Sequence, residues 1–151
     1  MMRRTLFHPI FVLLAAALAL AGCDDYADYS LAAYTNATEM KAKSLALLAK
    51  SGAPYAVHGA EAEAVLLQID VAYEFAAGFE ANQEAADMWA LIRDPEEGSV
   101  GGFVALWRRD FPQGLSPGFR TEFERATRFA FDRLICLEAN KREPASCAPL
   151  P

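Results

Sequence analysis

Three cysteines and two histidines are all that 151 residues hold of the side chains most used for metal binding and redox chemistry. No two cysteines stand at the C-x-x-C spacing of a redox pair, no Glu-x-x-His motif appears for a di-metal carboxylate bundle, and a C-x-x-C-H haem attachment is missing. The G-x-S-x-G match at Gly114-Leu115-Ser116-Pro117-Gly118 follows no predicted strand, as a nucleophile elbow must, and there is no phosphate-cradling P-loop and no run of dinucleotide-binding glycines. Positive charge is also in deficit: 14 Lys and Arg stand against 20 Asp and Glu, a net charge of −6 that argues against nucleic acid and against electrostatic docking on anionic lipid. No stretch alternates with period two for long enough to read as a strand. Beyond the N-terminus, no apolar run approaches the ~20 residues needed to cross a bilayer.

What the chain does have begins at its start. Arg3 and Arg4 precede an apolar run from about Ile10 to Ala21 closed by small residues, the layout of a processing segment. Leu20-Ala21-Gly22-Cys23 then resembles the lipobox of bacterial lipoproteins at all four positions. The resemblance implies that the Cys23 thiol receives a diacylglyceryl group, that cleavage removes residues 1–22, and that the new amine is often acylated as well. Two or three acyl chains anchor stably where one binds only reversibly. Asp24 and Asp25 are similar to the signal that retains enterobacterial lipoproteins in the inner membrane, so the periplasmic face of that membrane is the expected address. The competing readings are a plain secretory peptide with an incidental cysteine, and an incidental acidic pair. The resemblance stops at residue 23. The expected mature chain, residues 23–151, is one helical domain with a short tail from about residue 143, and loss of Arg3 and Arg4 takes its net charge to −8.

The body reads as helical throughout. Tyr26, Ser30, Ala33, Ala37, Met40, Ser44 and Leu47 recur at four and three residues, one stripe of a helix that Gly52 is placed to cap. A second stripe runs Ala62, Val65, Leu66, Ile69, Ala72, Tyr73, Ala76 and Phe79, and the short connection predicts that the two helices lie antiparallel. Asn82 breaks this run, and Gln83 to Arg93 makes a shorter helix carrying Met88, Trp89 and Ile92. Ser99 to Asp110 predicts another, against the cost of Gly101 and Gly102, about 1 kcal/mol each in a helix interior. Ser116 as N-cap and Pro117 in the first turn open the last helix, whose expected core face is Phe119, Phe123, Ala126, Ala130, Leu134 and Leu137. The fold class is all-α: a bundle of three long helices plus one or two short ones.

In the oxidising periplasm, Cys136 and Cys147 are expected to pair. From Cys136 the helix runs on to about Arg142, a rise of roughly 9 Å. Glu143 to Cys147 extends up to roughly 17 Å and Pro144 helps turn the chain, so the tail can fold back. So short a loop stabilises by about 3 kcal/mol in the chain-entropy model.

Catalytic signals are thin. Asp70 and Glu74 stand at i,i+4 inside "LLQIDVAYEF", spaced to share a metal or a proton, but the simpler reading is a solvated face paired with Arg120, Arg125, Arg128 and Arg133 of the last helix. His58, alone beside Gly59, reads as a surface residue. The segment "GGFVALWRRDFPQGLSPGF" concentrates Phe103, Trp107, Arg108, Arg109 and Phe111, the residue types that anchor protein interfaces, although the same aromatics could instead fill the core. These observations favour a membrane-tethered, non-catalytic helical binding module, of the assembly-factor, complex-subunit or toxin-immunity kind, with a protein partner and neither cofactor nor metal. Its acidity suits a basic partner. The alternative is a ligand carrier or small hydrolase with a pocket lined by Trp89, Phe103 and Trp107.

Overall fold

The computed structural model describes residues 27–147; Cys23, Asp24 and Asp25 lie outside them. Five α-helices follow one another: α1 Leu31–Lys50, α2 Tyr55–Ala77, α3 Gln83–Arg93, α4 Gly101–Arg109 and α5 Pro117–Ala139. Single 3₁₀ turns occur at Glu80–Asn82 and Pro144–Cys147, and no strand occurs among the described residues. The architecture is all-α, a bundle of three long and two short helices.

Local chemistry explains each start and stop. The Ser30 hydroxyl accepts from the Ala33 amide at 3.3 Å and opens α1, which buries Ala33, Ala37, Met40, Ser44 and Leu47 on the expected stripe. Its C-terminal cap is Ser51, not Gly52: the Ser51 amide and hydroxyl both donate to the Leu48 carbonyl, at 3.1 and 2.7 Å. The loop at Gly52 instead imposes a glycine at position 114. The chain recrosses there, so that a Cβ on Gly114, whose φ is +130°, would lie 2.3 Å from the Gly52 carbonyl oxygen. Ser116 caps α5 by accepting from the Phe119 amide, and Pro117 sits in its first turn. Gly101 also has a packing reason, since a Cβ there would come within 2.0 Å of the Arg93 carbonyl oxygen, and the close approach lets α4 fold back onto the end of α3. That fit outweighs the helix propensity that glycine forfeits.

The helices close into a ring. α1 packs against α2 and α5, and α3 packs against the other sides of α2 and α5, so α2 and α5 occupy opposite corners. The bridge from Lys50 to Glu61 and the hydrogen bond from Lys43 to Gln68 set α1 antiparallel to α2, and the Lys41–Asp132 pair ties α1 to α5. This order overturns the expected pairing of α2 acids with α5 arginines. Glu61 takes Lys50, Glu63 takes Arg108 and Asp70 takes Arg93, while Arg125 and Arg128 pair within α5 with Glu122 and Glu124.

The inward face of α5 is also turned from the expected one. Phe119 and Ala126 are exposed, and the buried positions are Thr127, Phe131, Leu134, Leu137 and Glu138. Two polar residues on this face hid it from a search for apolar spacing. Thr127 is accommodated by donating its hydroxyl to the Ser99 carbonyl at 3.2 Å.

α4 seals one end of the ring. Trp107 is fully buried, meets Tyr55 edge-on at 5.2 Å between ring centres, and donates its indole N–H to the Ala53 carbonyl at 3.0 Å. The Leu115 amide donates to the Ser51 carbonyl and the Tyr55 amide to the Pro112 carbonyl, so the α1–α2 turn and the α4–α5 loop are laced together. Trp89 lies deeper, edge-on to Phe131 at 5.8 Å. Cys136 and Cys147 form the expected disulfide, with Cα atoms 5.7 Å apart.

Trp107→Ala is expected to lower unfolding free energy by about 3–5 kcal/mol, and Gly114→Ala by about 1–3 kcal/mol, since alanine at this φ is strained and meets the Gly52 carbonyl. Urea unfolding followed by far-UV circular dichroism checks both; a change below about 0.5 kcal/mol in either would contradict the sealed end described here.

Candidate functional site

The segment from Phe103 to Phe111 does not present the surface expected of it. Phe103 and Trp107 have no exposure at all; they fill the core, as their apolar spacing within a two-and-a-half-turn helix requires. Arg108 and Arg109 are exposed, but Arg108 is held by Glu63 at 3.0 Å and Arg109 by the neighbouring Asp110. Phe111 is partly exposed and packs on Phe119 at 5.1 Å. Trp89, Phe103 and Trp107 likewise belong to the packed core. His58 stands half-buried at the sealed end, its Nδ1 3.6 Å from Glu61. Asp70 faces Arg93 at 2.9 Å, and no group of three metal-ligating side chains occurs among the described residues.

The unsealed end holds what sequence reasoning missed. There the start of α1, the end of α2 and the end of α5 converge around a cavity of about 520 Å³. Ala33, Phe75 and Phe79 supply apolar walls, and Asp28 and Glu80 stand at its exposed margin. Its base is a buried polar trio: Asn82, Glu138 and Lys141, with Glu138 only 1% and Lys141 only 5% exposed. The Lys141 ammonium donates to Asn82 Oδ1 and, at 3.1 Å, to Glu138 Oε1. Glu138 Oε2 lies equally close to that ammonium, so the carboxylate faces Lys141 with both oxygens, and no other donor among the described residues reaches Oε2. Burial pushes the Glu138 carboxyl above its ordinary range, and Lys141 opposes that push only in part. The trace of this arrangement in the sequence is spacing: Thr127, Phe131, Leu134 and Glu138 recur at four, three and four residues, which puts the carboxylate on the core stripe.

A second feature lies on the outside of α2. This helix carries apolar residues on more than one side, although only the side with Ala62, Val65, Ile69, Ala72 and Ala76 is buried. Its outward side carries Ala60, Ala64, Leu67 and Val71 in a row at four- and three-residue spacing, with Leu67 63% and Val71 61% exposed. Glu63, Asp70 and Glu74 run along one edge. No described helix is long and apolar enough to cross a membrane. No protein-family model, curated protein or solved structure matches the chain.

The raised Glu138 carboxyl fixes a sign. A folded-state value above the unfolded value of 4.5 means that the contribution of Glu138 is fully present below that pH and is lost as pH rises through the folded value. Glu138→Gln removes this dependence while keeping the shape. The stability of the variant relative to wild type should therefore increase from pH 4 to pH 7 in paired urea titrations; a difference that stays flat or falls would show that the carboxyl is not raised.

Proposed function

We propose that the protein is a bacterial envelope lipoprotein, anchored through acylated Cys23 on the periplasmic side of the membrane and held at the inner membrane by Asp24 and Asp25, and that it works as a helical protein-binding module. The tether rests on the lipobox-type stretch Leu20–Cys23. The Cys136–Cys147 disulfide suits an oxidising compartment. The observation that carries the binding role is the outward row on α2. Four apolar side chains at heptad-like spacing, exposed together on one rigid helix, match the seam by which one helix takes another. Burying Leu67 and Val71 against a partner would contribute about 1.5–3 kcal/mol each.

The partner is a helix with an apolar stripe and basic flanks. Its charge follows from the chain's excess of acid, net −6 and −8 once Arg3 and Arg4 are gone, and from the carboxylates edging the row. Arg93 and Arg108 partly neutralise two of these carboxylates, so the long-range field of the whole chain supplies most of the steering.

Cys23→Ser should move the protein from the membrane to the soluble fraction of lysed cells, and retention on membranes would remove the tether. A photo-crosslinking side chain at position 71 should give one discrete adduct in intact cells. That adduct should vanish in Leu67→Glu and be absent when the crosslinker replaces Phe129, which is exposed on α5. Its crosslinked peptide should carry apolar residues at helical spacing between lysines or arginines. An adduct indifferent to Leu67→Glu, or no adduct at all, would refute docking on α2.

A further inference from the structure

The chain enters the bundle at its unsealed end. The Ala27 amide donates to the Ala81 carbonyl at 3.0 Å, which pins the entering chain beside the turn between α2 and α3. Ala27 stands four residues after Cys23, and four residues span at most roughly 14 Å. With Cys23 acylated at the lipid surface, Ala27 can rise no higher than that above it. The sealed end, about 30 Å away along the 20 residues of α1, is under no such restraint.

The unsealed end also exposes apolar side chains. Leu31, 67% exposed, is the first residue of α1; helical side chains tilt toward the N-terminus, so it leans off the end of the bundle. Tyr29 is exposed just before it, beside the end of α5. Phe79 is exposed past the end of α2 and meets Phe75 edge-on at 5.5 Å. Aromatic and leucine side chains of this kind suit the interface between lipid and water. Asp28 is paired with Arg142 at 3.3 Å and Lys141 is buried against Glu138, while Glu80 and Glu143 are exposed. This end therefore has no positive excess, and its contact with lipid is apolar.

The flanks are poorer candidates. Laying α2 on lipid would carry Glu63, Asp70 and Glu74 down with Leu67 and Val71. Laying α5 there would carry Glu124, Arg125 and Arg128 down with Phe129. We propose that the bundle stands end-on against the bilayer, with Tyr29, Leu31 and Phe79 entering the lipid interface and the unsealed end facing the membrane. This placement rests on the acyl tether at Cys23. The tether lets so few side chains suffice, because it keeps them at high effective concentration over the surface. End-on seating also leaves the α2 row upright and open to a partner helix.

The test uses the lipidated protein purified from membranes and reconstituted into phosphatidylcholine vesicles, with a fluorescent amino acid at position 79, 71 or 57. A nitroxide on the lipid, at the head group or at the fifth acyl carbon, quenches the fluorophore only on close approach. At position 79 the acyl nitroxide should quench as strongly as the head-group one. At position 71, on the flank, and at position 57, exposed at the sealed end, it should not quench. Tyr29→Glu with Leu31→Glu should lower the docked population about tenfold, and acyl quenching at position 79 with it. Both residues are exposed and acids favour the start of a helix, so the pair leaves the fold intact. Flotation of the protein with the vesicles reports the tether separately. Protein that does not float removes the tether and the seat together. Protein that floats keeps its tether, and overturns the end-on seat if only the head-group nitroxide quenches position 79, if the acyl nitroxide quenches position 71 or 57 as strongly, or if the paired substitution changes nothing.

Discussion

The burial of Trp107 is the contact on which the rest of the bundle depends. Its ring stacks edge-on against the first residue of α2, and its N–H satisfies a carbonyl in the α1–α2 turn that would otherwise be left without a partner. One side chain thereby joins α4 to the hinge between the two longest packed elements of the N-terminal half. With α4 fixed there, the following loop is short enough to bring Leu115 and Ser116 against Ser51 and start α5 on the correct side of α1. The near-contact of Gly52 with Gly114 marks how close the two loops must come. Helices of this length are marginal alone in water, and their stability comes from such closure.

Sealing one end fixes the character of the other. Among the described residues, the ends of α1, α2 and α5 meet without a covering helix and leave space between them. A lysine and a glutamate are buried in that space at a desolvation cost that their mutual attraction only partly offsets. Well-packed apolar residues would be the more stable solution for a bundle with no task at this end. Within the trio of Asn82, Glu138 and Lys141, the last two are the charged residues of the described core, whose other buried polar residues, Asn82, Ser44, Ser51 and Thr127, are neutral.

Most of the fold was legible in the sequence, because the signals that specify helices are local. The α1 stripe from Ala33 to Leu47, the α2 stripe, the break at Asn82, the bounds of α3, and the Ser116–Pro117 start of α5 all appear where residue spacing and capping put them. What failed was what depends on the ring order. Opposite charge on α2 and α5 suggested neighbours, yet with α1 and α3 between them the acids found Lys50, Arg93 and Arg108 instead. The aromatics of α4 looked like an interface because composition does not distinguish an anchor from a core filler; only the fold of the loop at Gly101 turned them inward. The α5 face was misread through Thr127 and Glu138, since a search for apolar periodicity excludes the very residues that later form the polar base. Cys136–Cys147 was within reach of spacing alone because the bridge spans a single helix end.

That bridge has a consequence for the cavity. Glu138 and Lys141 both lie inside the loop that the disulfide closes, whose anchors are 11 positions apart in sequence. Without the cross-link, a lysine on this segment would spread its ammonium over a wider volume and spend more of its time in water, where it is better hydrated. Cross-linking the loop raises the effective concentration of that ammonium at the carboxylate, so the bond formed between two sulfurs on the surface helps set the charge of the interior.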